Sequence, residues 1–381
     1  DLAAKEKKTF SLKAEKGKAA PPAVLKVTDD AAGVTVDTGK IKFTVAKDKP
    51  FSLLSSVEVG GKALVAGGEV SYTENTNVEF KDNRYLADKP VSVEVEYKGP
   101  MRATICVKGR FVGDADTEMQ WVARVTAWAG RSDVHVKYNL ANSNEKHYTW
   151  RRIKDSSIVL KLASAASGAI IGSSKPAEAE VPCWIEQSGR LIRAAAHSAD
   201  AVGGAYWLQK TPAAEGPGGA KAMAGEKEIW ASAGKGDKAE GWLAVKVGGA
   251  VVCVNDLFFV EDPPRKLALA NKDQLVLSGV AEPLPGMAPP FPDKGRWLVD
   301  SSHFSSQYRI DFMAPGAVPE LSAAAQSARS RLHIQAPASW YLGDTDGLAV
   351  GKFGTQADEL ACYEKWGWKY DAKQVPRTTA G

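Results

Sequence analysis

The chain has 381 residues, of which 44% are hydrophobic and 25% charged, the ordinary composition of a globular protein. Its 49 basic and 45 acidic side chains leave a formal net charge of +4. A charge this close to balance argues against the concentrated basic face of a nucleic-acid-binding protein. No apolar run approaches the ~18 residues that a membrane-spanning helix needs, so we expect a soluble protein. The sequence begins at Asp1 without Met, and we expect a processed or partial product.

Apolar and polar residues alternate with a period of two through most of the chain. This period predicts β-strands, because successive side chains of a strand point to opposite faces. Turns are predicted at Gly60-Gly61, Gly67-Gly68 and Lys98-Gly99-Pro100, the last of which joins two alternating runs as a hairpin. Many short strands predict a mostly β fold, a large antiparallel β-sandwich. The predicted strands are residues 34–36, 41–45, 56–59, 91–97, 103–111, 121–128, 134–140, 158–162, 184–187, 191–196, 242–247, 251–254, 275–280 and 308–312.

Helical patterns are sparse and lie near the C-terminus. Residues 320–333, which follow Pro319, and residues 357–366 predict one or two short helices. Two proline- and glycine-rich stretches, 211–225 and 281–295, predict loops. Such loops are either stiff surface connections or walls of a binding cleft.

The four cysteines follow no metal-binding or redox spacing. Cys106 and Cys253 lie inside apolar strand-like runs, which favours buried free thiols. A single disulfide is the alternative, and nothing in the sequence selects its pair from among these two, Cys183 and Cys362.

Several segments, taken in order, resemble one known family. VTVDTGKIKFTV and SVEVGGKALV are similar to the first strands of its central β-sandwich. EVEYKGPMRATICVKGRF and ARVTAWAGRSDVHVKYNLAN are similar to its paired strands, and GWLAVKVGGAVVCVNDLFFVEDPPRKLALANKDQLVL to a later part. These motifs resemble the exo-rhamnogalacturonan lyase family, which includes the YetA-like proteins.

The resemblance implies a domain order. Members of the family have a small N-terminal β-barrel, a large central β-sandwich and a C-terminal (α/α) toroid. On this pattern, residues 1–30 end the small N-terminal β domain or form a linker, and residues 31–318 form the sandwich. Residues 319–381 hold short helices and a linker toward a missing or partner domain.

The resemblance also implies a function. It predicts a secreted carbohydrate-active protein, extracellular, periplasmic or at the cell surface, whose partner is an acidic polysaccharide of the rhamnogalacturonan or pectin type. The family's reaction is β-elimination, which needs a group that neutralises the uronate carboxylate, a base and an acid.

The best catalytic candidates lie directly after the proline-rich stretch. His303, Tyr308 and Arg309 offer a base, an acid and a cation for this chemistry. Arg296 and Trp297, just before them, offer substrate contacts. A purely structural role for the same residues is the alternative.

A second group combines aromatic and basic side chains. His147, Tyr148, Trp150 and Arg152 fall within eight residues of sequence. Aromatic rings pack on the apolar faces of sugars, and arginine holds carboxylates with two parallel hydrogen bonds. These residues are predicted to bind substrate, with a solvated strand edge as the alternative.

Two further features concern ligands and partners. The acidic turns 113–118 and 343–347 are candidates for binding Ca²⁺, although neither has the full ligand spacing and ordinary aspartate turns are the alternative. No other cofactor is predicted. Trp366, Trp368 and Tyr370 alternate, which is typical of a docking stripe for a partner domain or a second copy, or of a sugar-contacting strip.

A non-catalytic relative is the alternative to a lyase. The position of a Lys-Thr-His-like cluster of the family is here occupied by Ser305, Ser306 and Gln307. On this second hypothesis the chain is a structural or glycan-binding component of an extracellular or cell-surface assembly.

Overall fold

The structure is a computed structural model. It describes residues 25–75, 81–113, 119–143, 151–173, 176–187, 220–224, 226–231, 239–259, 262, 264–281 and 296–315. The chain divides into two compact units, Asp1–Arg329 and Ser330–Gly381, and all of these residues belong to the first. The predicted C-terminal helices lie outside the described residues.

The described residues form 22 β-strands in two antiparallel sheets, numbered here in chain order. The first sheet has 13 strands: β1 (Lys26–Asp29), β2 (Gly33–Asp37), β3 (Ile41–Ala46), β4 (Ser56–Val59), β5 (Lys62–Asn75), β6 (Asp82–Leu86), β11 (Arg151–Leu162), β14 (Cys183–Gln187), β15 (Ala220–Ala224), β16 (Lys227–Ala231), β19 (Arg265–Asn271), β20 (Gln274–Val280) and β21 (Arg296–Leu298). The second has nine: β7 (Ser92–Lys98), β8 (Arg102–Arg110), β9 (Met119–Trp128), β10 (Asp133–Asn142), β12 (Gly168–Ser173), β13 (Ala177–Ala179), β17 (Ala239–Val247), β18 (Ala250–Asp256) and β22 (Ser302–Met313). The predicted mostly β sandwich is confirmed.

The strand order shows how the sandwich is assembled. In the first sheet the order is β1-β2-β3-β4-β5-β11-β20-β19-β14-β15-β16, with β6 beside β5 and β21 beside β11. In the second it is β13-β12-β17-β18-β22-β10-β9-β8-β7. The predicted hairpin is β7 and β8, which pair in antiparallel register. Since β1 pairs with β2, the first sheet already contains residues before position 31; the predicted domain boundaries themselves stay a prediction.

Alternation along each strand fills the core between the sheets. Strand β9 buries every second side chain, from Met119 to Ala127. Trp121 in this strand is fully buried, and its ring stacks on Phe51 at 4.1 Å between centroids. Each fully buried apolar side chain of this size stabilises the fold by ~2–3 kcal/mol.

One turn prediction is wrong. Gly67 and Gly68 lie inside β5, with φ of 93° and 151°. The pairing of β5 with β11 shifts register beside them, which marks a β-bulge. A side chain at Gly68 would collide with the carbonyl oxygen of Val159, so glycine is required there by close backbone approach. The pair Gly60-Gly61 does form a turn, with both φ values positive.

Three cysteines confirm the expectation of buried free thiols. Cys106, Cys183 and Cys253 are buried and unpaired. Burial raises the pKa of Cys183 to about 11, and it also raises the pKa of Cys253. The fourth, Cys362, lies outside the described residues.

No helix in the described part of the chain has the length and apolar character needed to cross a membrane.

We predict that Gly279→Ala destabilises the protein. A Cβ at this position would clash with the hydroxyl of Ser306 on the opposite sheet, with the Tyr308 hydroxyl close by. Overpacking of this kind costs ~1–3 kcal/mol. Urea unfolding measures the loss, with Gln274→Ala, at an exposed position of the same strand, as the control. Equal midpoints for G279A and Q274A would show that the sheets can separate freely here.

Candidate functional site

Arginines and acids gather at one end of the sandwich, where β5 and β18 end and β11, β19 and β21 begin. We call this the arginine-rich end; it comprises Arg151, Arg152, Arg265 and Arg296 with Glu74, Asp256 and Asp262. The pairing of β11 with β21 places Arg152 directly opposite Trp297. Thus the fold brings together residues that are more than a hundred positions apart in sequence.

Arg265 is the deepest charge of this end, with 1% of the residue exposed. Its Nη1 lies 3.3 Å from Asp256 Oδ2, and its Nη2 lies 2.8 Å from Asp262 Oδ2. It also donates to Ser306 Oγ and to the carbonyl oxygen of Ser305, both at 3.0 Å. Burial alone would lower the pKa of Arg265, but the charge of Asp256 and its other neighbours outweigh burial and raise the pKa. Arg265 therefore stays charged and fixes the ends of β18 and β22 to β19.

Tyr308 lies beside this network, inside the sandwich and fully buried. Burial and the nearby charge of Asp256 raise the pKa of its hydroxyl, against hydrogen bonds with Ser306 and Arg265. Its phenol is thus neutral and held in the interior.

Arg296 and Trp297 are the partly exposed side chains of this end, whereas Arg152 is buried. Arg296 and Trp297 are neighbours along β21, so they point to opposite faces of the sheet. The Arg296 side chain is 34% exposed; its Nη1 lies 2.9 Å from Asp262 Oδ1, and its guanidinium lies 4.6 Å from the centre of the Phe304 ring. Arg152 lies 4.8 Å from the Trp297 ring centre and donates to Asn75 Oδ1 at 3.2 Å. Each guanidinium–aromatic pair of this kind suits both the apolar face and the charge of an acidic sugar.

Arg309 belongs to a different cluster, on the face of the second sheet that points away from the core. Its Nη2 donates to Asp311 Oδ1 at 2.7 Å, and its Nε lies 3.4 Å from Asp133 Oδ2. Asp133 and Asp311 are direct partners across β10 and β22. Arg131 and His135 also contact Asp133, at 2.7 and 3.3 Å. We call these five residues the outer acid pair cluster.

The two carboxyl groups of this cluster have pKa values shifted in opposite directions. Burial raises the pKa of Asp311 to about 6, with Arg309 opposing the rise and Asp133 adding to it. Burial would raise the pKa of Asp133 too, but hydrogen bonds from His135 and Arg131 and the charge of Arg309 lower it to about 2. Two neighbouring carboxyls with pKa values this far apart can take different roles in proton transfer.

His303 is an exposed residue on the outer face of β22, opposite Ala141 of β10. Tyr308 points to the inner face of the same strand. The two positions are an odd offset apart, and side chains of a strand alternate between its faces. Arg309 shares the face of His303, but six residues of strand separate them by ~20 Å. The structure therefore does not bring the three predicted catalytic residues into one place.

Some predicted residues lie outside the described part of the chain. These are His147, Tyr148 and Trp150, the aromatic stripe of Trp366, Trp368 and Tyr370, and nearly all of both acidic turns. Among the described side chains no group of three or more His, Cys, Asp or Glu is placed to hold a metal ion. Calcium binding stays a prediction.

Sequence reasoning missed Arg265, Asp256 and Asp262. The signal was the charged turn EDPPRK between two apolar runs, where an arginine begins a buried strand. It also missed Asp133 and Asp311, which occupy alternating positions next to valine, isoleucine and phenylalanine and pair only through the long-range register of β10 with β22.

Comparison with known proteins adds one family match. Residues 25–152, about one third of the chain, match the family described as PcRGLX-like protein central beta sandwich domain. This match supports the resemblance to rhamnogalacturonan lyases. No curated protein matches the chain.

Several solved structures match the chain at low sequence identity. A galactose mutarotase-like protein from Lactobacillus casei is 9% identical, with a TM-score of 0.41 over 74% of this chain and 99% of that one. A protein in the glycosyl hydrolase family 38 from Enterococcus faecalis is 8% identical, with a TM-score of 0.44 over 83% of this chain and 34% of that one. An alpha-N-acetylgalactosaminidase from Bifidobacterium bifidum is 9% identical, with a TM-score of 0.40 over 77% and 38%.

We predict that Asp311 makes stability depend on pH. Its folded pKa of about 6 is above the ~3.9 of an unfolded chain, so the folded state holds the proton more tightly. Its contribution is complete below pH ~4 and is lost as the pH rises through about 6, a change of about 3 kcal/mol. Asp133 acts oppositely: its contribution is present above pH ~4 and is lost as the pH falls through about 2.

Urea unfolding between about pH 4 and about pH 7 measures this dependence. Asp311→Asn should flatten it, whereas Asp48→Asn, at an exposed loop position, should leave the wild-type slope. A slope that survives in D311N would assign the dependence to other groups.

Proposed function

We propose that this chain is the β-sandwich part of a carbohydrate-active protein related to rhamnogalacturonan lyases, and that it binds a uronate-containing polysaccharide. The observation that carries the proposal is the family match of residues 25–152. It covers the same strands whose sequence resembles the central sandwich of that family, from β1 to the start of β11.

The arginine-rich end is the proposed place of binding. Trp297 supplies an aromatic surface for a sugar ring, with Arg152 against it. Arg296 is partly exposed at the rim and supplies a planar guanidinium for a uronate carboxylate. Asp262 is available beside it to accept hydrogen bonds from sugar hydroxyls. Burial would raise the pKa of Asp262, but the charges of Arg296 and Arg265 outweigh burial and lower the pKa, so this carboxylate is ionised at neutral pH.

A polysaccharide of this kind lies outside the cell. We therefore propose an extracellular, periplasmic or cell-surface location. The three buried free cysteines are compatible with it, since none of them is accessible to oxidants.

A non-catalytic role is the second candidate. One observation favours it: among the described residues, the candidate base His303 and the candidate acid Tyr308 point to opposite faces of β22. On this reading the chain binds glycan or builds an assembly, and cleavage by β-elimination requires a further domain.

We predict that Trp297→Ala weakens binding to polygalacturonate and rhamnogalacturonan about tenfold, the equivalent of ~1.4 kcal/mol. The loss follows from removal of the aromatic surface and of the support for Arg152. Electrophoresis through gels that contain the polysaccharide measures the affinity. The control is Tyr97→Ala, which removes a matched aromatic–arginine pair (Arg102 lies 4.2 Å from the Tyr97 ring) at the opposite end of the sandwich. Equal retardation of W297A and Y97A would remove the arginine-rich end from consideration.

We predict that the 381-residue chain binds the polymer without releasing unsaturated uronate ends. The reason is the separation of His303, Tyr308 and Arg309 described above. Ultraviolet absorbance during incubation with a panel of pectic polysaccharides detects such ends. A steady rise in absorbance would establish lyase activity in this chain and reject the non-catalytic candidate; His303→Ala is then the first variant to assay.

A further inference from the structure

A row of short polar side chains crosses the first sheet on the face that points away from the core. Ser71 of β5, Ser157 of β11 and Ser278 of β20 are direct cross-strand partners, so they share one face. The row continues to Lys266 of β19 and Glu186 of β14 through the same kind of pairing. Five neighbouring strands thus contribute one polar residue each.

The position of this row on the outer face follows from its neighbours. Leu277 belongs to the core, and Gly279 faces Ser306 and Tyr308 of the second sheet. Ser278, between a core residue and this glycine, points the other way. The three serines are nevertheless only 2%, 6% and 4% exposed in row order. These three buried serines, which we call the serine floor, are more buried than Asp155, Lys266 and Trp184, which lie on the same face and are partly exposed.

Asp155 lies at one side of this serine floor. Ser157 donates to Asp155 Oδ2 at 2.6 Å, and the Ser157 and Ser278 hydroxyl oxygens are 2.7 Å apart. Burial raises the pKa of Asp155, against hydrogen bonds from both serines and the more distant charges of Arg84 and Lys266. Within the described part of the chain, no basic group forms an ion pair with this carboxyl. The carboxylate oxygens of Asp155 can therefore accept further hydrogen bonds. A half-buried carboxyl in this state is unusual unless a ligand binds to it.

Lys266 and Trp184 lie on the other side of the floor. The Lys266 ammonium is 4.9 Å from the centre of the Trp184 ring. No carboxylate of the described residues lies within ion-pair distance of this ammonium. Two strand spacings, ~10 Å, separate the backbone of Ser157 from that of Lys266, so both side chains reach one small ligand from opposite sides.

We propose that Asp155, Ser157, Ser278, Lys266 and Trp184 form a second carbohydrate site, which binds a single acidic sugar residue. Lys266 holds the sugar carboxylate, and Asp155 accepts hydrogen bonds from neighbouring hydroxyls. Trp184 supplies the apolar surface. The site is separated from the Arg265 network by the sheet itself, and it goes beyond the proposed function, since it takes a monosaccharide unit on a different face.

Titration calorimetry of the full chain with galacturonic acid and with galactose tests the site, because the two sugars differ only in the carboxylate. Wild-type protein should prefer galacturonic acid. Lys266→Gln should lower the affinity for galacturonic acid about tenfold and remove the preference, since a hydrogen bond to a charged group is lost. Asp155→Asn should weaken binding of both sugars.

The matched control is Lys161→Gln, which removes a lysine from the same outer face of β11, at an exposed position. It should bind both sugars as the wild type does. Wild-type protein that binds neither sugar, or K266Q that matches K161Q, would overturn the site.

These failures are distinguishable from failure of the proposed function. Polymer binding that is lost in W297A and kept in Y97A, with K266Q equal to K161Q in the sugar titrations, would keep the arginine-rich end and reject the serine floor. Equal polymer binding by W297A and Y97A, with the preference for galacturonic acid lost in K266Q and kept in K161Q, would keep the serine floor and reject the arginine-rich end.

Discussion

The alternation of side chains along an extended strand decides the placement of the polar groups on the described strands of this protein. Each residue of β22 belongs either to the interior or to the outer face, and a shift of one position would exchange the two sets. Tyr308 and Ser306 therefore join the buried network of Arg265, while Arg309 and Asp311 join the outer acid pair cluster. The same rule sends Arg265 inward and Lys266, its neighbour, outward. The chemistry of the molecule is thus divided among three places by strand geometry alone.

The three places differ in how completely their charges are satisfied. Arg265 has two carboxylates, a hydroxyl and two carbonyl oxygens around it, which offsets the cost of burying a guanidinium. In the outer acid pair cluster, Asp133 and Asp311 share Arg309. This one arginine does not offset burial and the charge of Asp133, so the pKa of Asp311 is raised. On the serine floor, Asp155 and Lys266 both lie outside any ion pair of the described residues. The Arg265 network is typical of a structural ion-pair network. The outer acid pair cluster and the serine floor are typical of sites that exchange protons or bind ligands.

The sequence predicted the parts of the fold that depend on local pattern. The hairpin of β7 and β8 follows from alternation on both sides of a Gly-Pro step, and the buried Cys106 follows from its apolar neighbours. The turn predicted at Gly67-Gly68 was wrong because glycine is common both in turns and in β-bulges. Only the close approach of the Val159 backbone, which the sequence does not show, identifies the bulge. The sequence numbers of His303 and Tyr308 already predict that they lie on opposite faces of one strand. The pairing of Asp133 with Asp311, in contrast, depends on a register set by the whole sheet. Long-range pairing of this kind leaves no signal in a short window of sequence.

The buried thiols have a consequence for where the protein can work. Thiolate is the reactive form of cysteine, and burial keeps Cys183 and Cys253 protonated at any physiological pH. Cys106 is equally enclosed. These three side chains behave as small apolar fillers of the two sheets, without redox chemistry of their own. The described part of the sandwich therefore folds without a disulfide among these three cysteines, so the oxidation state of the surroundings does not act on its stability through them.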